Sequence, residues 1–173
     1  MVIWLVGLSG SGKTSIGREV FKLIKTRKPN VVFIDGDEIR QIMGNDLGHS
    51  LVDRRRNADR ISKFCKFLDS QGIDVVCAIL SIFEESRIWN RQNITNYFEV
   101  FLSVSMEVLK TRDKKGLYEK ALRGDIKDVV GVDLEFSPPS NPHLVIDNNV
   151  CLESYEDPAN KIIEAVDRLG FIS

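Results

Sequence analysis

Residues that bind soft metals or cross-link a fold are scarce here: three cysteines and two histidines in 173 residues. Cys65, Cys77 and Cys151 lack the paired spacing of a zinc site. His49 and His143 join no Cys or carboxylate cluster, so no zinc is expected. Cys65 and Cys77 fall on apolar faces, as buried thiols of a reducing compartment do, whereas Cys151 sits in no such pattern. Charge of one sign is missing as well. With 24 Lys and Arg against 25 Asp and Glu, the formal net charge is -1. A general nucleic-acid or anionic-membrane surface is therefore not indicated, and any basic patch must be local. The first apolar run is too short for a signal peptide or a membrane span, and no positively charged segment precedes it. These absences lead to the expectation of a soluble, cytoplasmic protein. Internal repeats and low-complexity tracts are also missing, and the length suits a single domain, 1–173, with its own core.

Against these absences stands Gly7-Leu8-Ser9-Gly10-Ser11-Gly12-Lys13-Thr14, a full match to G-x-x-x-x-G-K-[ST]. The apolar run Val2-Ile3-Trp4-Leu5-Val6 precedes it, and helical spacing at Ile16, Val20, Leu23 and Ile24 follows. Strand, loop and helix in that order let backbone N–H groups curl around an anion at a helix N-terminus. Lys13 then reaches the β- and γ-phosphates, and the Thr14 hydroxyl becomes a Mg²⁺ ligand. The expectation is a site for a nucleoside triphosphate.

A second apolar run, Val31-Val32-Phe33-Ile34, ends in Asp35-Gly36-Asp37. Ligands in open α/β sheets bind outside the carboxyl ends of the strands, which makes Asp35 and Asp37 site candidates. Asp37 could equally cap a helix over Glu38–Met43. Ile61, Phe64, Cys65 and Leu68 mark an amphipathic helix between Asp53 and Gln71. Its first turn holds Arg54, Arg55, Arg56, Asn57 and Arg60. Arginines beside the positive end of a helix suggest anionic company. Val75–Leu80 reads as a doubly buried parallel strand with Ser81 and Phe83 at its end. Glu84–Asn96 is expected to be helical, with Arg87 and Arg91 on one face, and Phe98–Val104 to be the fourth strand. Between Lys110 and Lys127 lie seven basic and three acidic residues, the local excess hidden by the net charge. Ser137-Pro138-Pro139-Ser140-Asn141-Pro142 cannot continue a helix and suits the return of a mobile excursion, a basic lid over about 112–142. Leu144-Val145-Ile146 supplies a last strand. Asp157 as cap and Pro158 as first helical residue open a closing helix, with Ile162, Val166 and Leu169 inward and Gly170 at its end. The fold class is α/β: a five-stranded parallel sheet with helices on both faces.

No [NT]-K-x-D motif appears, and the third strand ends without a metal-binding aspartate, so a GTPase switch is not expected. Carboxylates after the second strand, an arginine wall and a basic lid suit phosphoryl transfer to a small anionic acceptor, with lid closure excluding water.

Gly7–Thr14, Phe33-Ile34-Asp35-Gly36-Asp37-Glu38-Ile39-Arg40, Asn45-Asp46-Leu47-Gly48, Asp53-Arg54 with Asn57 and Arg60, Ser81 with Phe83, Arg112-Asp113-Lys114-Lys115-Gly116-Leu117-Tyr118, Gly131-x-Asp133 and the Pro138–Pro142 segment follow one another in order. This series, covering nearly the whole chain, resembles the adenylylsulfate (APS) kinase family of phosphate-loop kinases. The resemblance implies MgATP-dependent phosphorylation of a ribose 3'-hydroxyl on a small nucleotide. It implies ATP contacts from Gly7, Ser9, Gly10, Ser11, Gly12, Lys13, Thr14, Ser15 and Arg112, and Mg²⁺ held by Thr14 and, through water, Asp37. Asp35 is implied at the 3'-hydroxyl, with Arg40, Arg54, Asn57, Ser81, Phe83, Lys115 and Leu117 around the acceptor. The partner is a small nucleotide rather than nucleic acid or membrane, and a homodimer is compatible with the family.

Two positions depart from the family. Its acceptor adenine lies between two aromatic rings, and the matching positions here are His49 and Val129. A base stacked on an aromatic side chain gains about 1–3 kcal/mol in single-strand binding proteins, so adenine capture should weaken. The chain also begins directly at its first strand. These departures lead to the expectation of a pyrimidine acceptor, as in the family's cytidine diphosphoramidate kinases of bacterial capsule modification. An adenylylsulfate kinase with a repacked base site is the alternative, and a non-catalytic nucleotide-binding regulator a remote one.

Overall fold

The computed structural model describes residues 1–113, 115–150 and 154–171; Lys114 and Cys151 therefore lie outside the described residues. Five parallel strands, β1 (Val2–Val6), β2 (Val31–Asp35), β3 (Asp74–Ile79), β4 (Tyr97–Ser103) and β5 (Leu144–Asp147), form one sheet in the order β2-β3-β1-β4-β5. All five residues of β1 are buried, because it pairs on both sides, Trp4 lying opposite Cys77 of β3 and Glu99 of β4. Alternation along the strand then feeds two cores. Ile3 and Leu5 join Ile16, Val20 and Ile24 of α1 (Lys13–Arg27) and Ile162, Ile163 and Val166 of α7 (Glu156–Arg168). Val2, Trp4 and Val6 meet Ile61 and Cys65 of α3 (Leu51–Ser70) on the opposite face. Each such side chain contributes about 1.5–3 kcal/mol by leaving water.

Cys65 and Cys77 are free and buried, and burial pushes the Cys77 thiol well above its usual pKa. Two short helices, α2 (Gly36–Ile42) and α5 (Met106–Thr111), and the longer α4 (Glu84–Asn93) complete the layers. The excursion after β4 has its own helix, α6 (Leu117–Leu122). It also carries a third apolar cluster, in which Leu109, Tyr118, Val129 and Val130 pack on Leu8 of the phosphate loop.

Three local expectations need correction. The cap of α2 is Asp35, whose carboxylate accepts the Asp37 N–H, so Asp37 already lies inside the helix. α7 is capped at Tyr155 without a side-chain bond, which places Asp157 and Pro158 two residues deeper than expected. Leu169 is 51% exposed; it follows the last helical residue, where the turn toward Gly170 no longer keeps helical periodicity. In addition, α4 stops at Asn93, short of the expected Asn96.

Candidate active site

The phosphate loop runs from the end of β1 into α1, with Gly12 in the left-handed region at φ 94° as the helix begins. Gly10 is left-handed as well, at φ 79°. The Leu8 carbonyl accepts the Ser11 N–H at 3.1 Å and the Lys13 Nζ at 2.7 Å. Thr14 Oγ1 donates to Asp35 Oδ2 at 2.7 Å, which joins the start of α1 to the end of β2. Loss of water around the Lys13 ammonium lowers its pKa to about 8, and the charges of Asp35 and Asp37 only partly oppose this. A triphosphate would restore that lost stabilisation, since an opposite charge favours the protonated form. Ser15 continues the first turn of α1.

Asp35 is buried while Asp37, two residues on, is exposed in the first turn of α2. The two carboxylates thus flank the mouth of the loop at different depths. Thr14 Oγ1 and the exposed Asp37 carboxylate are oxygen donors only, which suits a hard cation that keeps most of its water.

Arginine side chains grip backbone along the α2–α3 connection. Arg40 donates to the carbonyls of Leu47 and Gly48 at 3.2 and 2.9 Å. Arg54 donates through Nε to the His49 carbonyl and through Nη2 to the Asp128 carbonyl, both at 2.8 Å. One guanidinium therefore holds the His49 loop against the lid. Burial, then the nearby Arg54 and Arg40, lowers the His49 pKa and keeps its ring neutral more readily. The lid side of this slot is equally fixed, because the Asp133 carboxylate accepts the N–H groups of Asp128 and Val129 at 2.6 and 2.7 Å. Val129 itself turns into the apolar cluster with Leu8. His49, in contrast, is exposed. Asn57 is buried and its Oδ1 has no protein partner among the described residues.

At the end of β3, Ser81 takes the left-handed φ of 51°, uncommon outside glycine. Two contacts hold it there. Trp4 Nε1 donates to its hydroxyl at 3.0 Å, while the fully buried Arg87 donates to its carbonyl and also bonds Glu84. Arg91, on the same helix, instead reaches Glu99 and the Asn141 carbonyl. Of the pair expected to share one helical face, Arg87 supports Ser81 and Arg91 ties α4 to β4 and to the segment before β5. Phe83 lies under the Arg55 guanidinium, 4.3 Å from its ring centroid.

In the lid, the Asp113 carboxylate accepts the N–H groups of Leu117, Tyr118 and Glu119 and so starts α6. Lys115 is exposed beside this turn and Leu117 is half-buried. Arg112 donates to the Asn148 and Val150 carbonyls at 2.8 and 2.6 Å, which ties the lid's first residue to the segment after β5. Sequence reasoning did not single out Asn148 as a site residue, nor Tyr118 apart from its motif. The Tyr118 hydroxyl donates to the Ser9 carbonyl and Asn148 Nδ2 to the Ser11 carbonyl, at 2.8 and 2.9 Å. Nothing in their local spacing pointed to contacts 109 and 137 residues away.

A phosphate loop, a carboxylate at the next strand end and a basic lid on a five-stranded parallel sheet define a phosphate-loop kinase. The adenylylsulphate kinase family model matches residues 1–147. The chain is 43% identical over 166 residues to the cytidine diphosphoramidate kinase of Campylobacter jejuni, covering 94% of each. It is 36% identical to the adenylyl-sulfate kinase of Halothermothrix orenii over 173 residues, covering all of this chain and 92% of the other. The Mycobacterium tuberculosis APS kinase, solved with AMPPNP and APS, superposes with a TM-score of 0.85 at 32% identity over 96% of each chain. This protein belongs to the adenylylsulfate kinase family and is a kinase that phosphorylates a hydroxyl acceptor. No helix among the described residues is long and apolar enough to cross a membrane.

Proposed function

We propose that this kinase transfers the γ-phosphate of ATP to the ribose 3'-hydroxyl of a cytidine nucleotide bearing a second anionic group, such as cytidine diphosphoramidate. The observation that carries the reading is the base slot: His49 is exposed on one side, and on the other Val129 is committed to the lid's apolar cluster. A slot with one small platform suits a pyrimidine better than an adenine held between two rings. The relative from Campylobacter jejuni supports it. The likeness to the mycobacterial enzyme solved with APS favours the second reading, an adenylylsulfate kinase.

In this mechanism the N–H groups of Gly10, Gly12 and their neighbours in Gly7–Thr14 cradle the ATP phosphates, and Lys13 neutralises charge at the γ-phosphate. Ser9, Ser11 and Ser15 complete the donor side, and Arg112 borders it. The Thr14 hydroxyl would hold Mg²⁺ directly and Asp37 through water, and the ion would supply charge neutralisation at the phosphates. Asp35 accepts a hydrogen bond from the 3'-hydroxyl and aims its oxygen at the γ-phosphate. A carboxylate needs only the right distance to do so, not a shifted pKa. Arg40 and Arg54, with Asn57, hold the acceptor's anionic groups, its base entering beside His49. Ser81 and Phe83 form the floor, and Lys115 and Leu117 close over it. Lid closure excludes water, the competing acceptor. The reaction is cytoplasmic in this reading, where ATP is supplied.

The test presents cytidine diphosphoramidate and APS separately with MgATP and follows ADP release. Turnover of the cytidine compound at a higher kcat/KM is expected. Efficient use of APS alone would sink the pyrimidine reading in favour of the second. Tight ATP binding without acceptor-dependent ADP from either would oppose both.

A further inference from the structure

The phosphate loop is gripped from outside at two alternate carbonyls. Tyr118, 1% exposed, donates to Ser9 from the lid helix α6, and Asn148, 2% exposed, donates to Ser11 from the segment after β5. A trans peptide is planar, so the C=O of one residue and the N–H of the next point in opposite directions. Holding the Ser9 carbonyl therefore aims the Gly10 N–H away from Tyr118, and holding the Ser11 carbonyl aims the Gly12 N–H away from Asn148. Neither N–H donates to a protein group among the described residues, which leaves both available to an anion. The left-handed Gly10 and Gly12 permit these peptide orientations but do not select them, since glycine visits both signs of φ with similar ease. Selection needs an outside contact. Asn148 approaches so closely that a Cβ on Gly12 would lie 2.7 Å from its Nδ2.

We propose that Tyr118 and Asn148 are positioning residues that set the Gly10 and Gly12 N–H groups toward the ATP phosphates, so that the lid helix takes part in forming the donor site. Asn148 belongs to the fixed part of the clamp, because its N–H also donates to Ser103 at the end of β4. Tyr118 belongs to the excursion, and α6 keeps its place through the three N–H groups capped by Asp113. A lid displaced from Leu8 takes the Tyr118 hydroxyl with it and frees the Ser9–Gly10 peptide to rotate.

The experiment measures binding of MgAMPPNP and of tripolyphosphate to the full chain, beside thermal unfolding, for wild type, Tyr118→Phe and Asn148→Leu. Direct binding keeps the result independent of which acceptor the enzyme uses. Phe fills the volume of Tyr and removes only the hydroxyl. Each variant is expected to raise both dissociation constants about tenfold, the scale of one hydrogen bond to a charged group. Tripolyphosphate shifts in step with AMPPNP because the defect lies at the phosphates and not at the adenine. A Tyr118→Phe protein that binds both ligands within twofold of wild type, whether or not its Tm falls, would overturn the proposal. Should Asn148→Leu fail to fold, the Tyr118→Phe result decides alone.

Discussion

The two ends of the cleft are held by different means. At the donor end the loop lies on the central strand, and buried neutral donors from elsewhere in the fold grip its carbonyls. At the acceptor end the walls are loops, latched by half-exposed arginines that grasp backbone carbonyls. A neutral bond between buried groups changes little with salt, whereas a charged one at the surface is screened and easily exchanged. In the proposed reading the donor end is set for as long as the lid stays docked on Leu8, and the acceptor end can adjust to what it holds.

This contrast can be broken most severely at the donor end. Lys13→Ala should lower kcat/KM for ATP about a thousandfold, the upper range for removing one donor to a charged transition state, as read by ADP release. Asp35→Asn sits at the junction of the two ends. It should lower acceptor-dependent kcat about a hundredfold, the low end for a positioned base, with AMPPNP affinity within about threefold. A wild-type kcat in that variant would remove Asp35 from its role. Arg54→Lys tests the acceptor end alone. An ammonium cannot span the His49 and Asp128 carbonyls as a planar fork does. Acceptor KM should rise about tenfold while the KM for ATP stays put. A rise in both would mean that the ends are not separate.

The smallest effect is a proton count. The free Lys13 pKa is about 8, and bound phosphates raise it, so near pH 8 nucleotide binding should take up about half a proton. Uptake should vanish toward pH 6, where the ammonium is already charged, and AMPPNP affinity should fall as pH rises above 8. Calorimetry in two buffers of different ionisation enthalpy measures this, and Lys13→Ala should abolish the uptake.

The strands were legible because each is a short apolar run, and in β1 and β3 that run reflects burial on both faces. The phosphate loop was legible because its chemistry is local. What escaped notice is where polar groups send their hydrogen bonds. Asp35 and Asp37 are equally good caps by composition, and only the path of the chain between β2 and α2 decides for Asp35. Spacing places Arg87 on one helical face with Arg91 but does not show its burial, which Glu84 and the Ser81 carbonyl permit by pairing with it. The lid reads as a mobile basic excursion because its charges dominate, while the apolar residues that dock it on Leu8 are scattered between positions 109 and 136. Tyr118 and Asn148 become visible as loop partners only once the lid and the end of β5 meet at the loop.

The Arg54 latch has an evolutionary consequence. Both of its acceptors are main-chain oxygens, and a carbonyl is present whatever side chain a position carries. Substitution at 49 or at 128 and 129 can therefore alter the lining of the proposed base slot without undoing the fastening that holds its two lips together. A lineage could drift from one nucleobase to another through such changes while every intermediate kept a closed, working cleft.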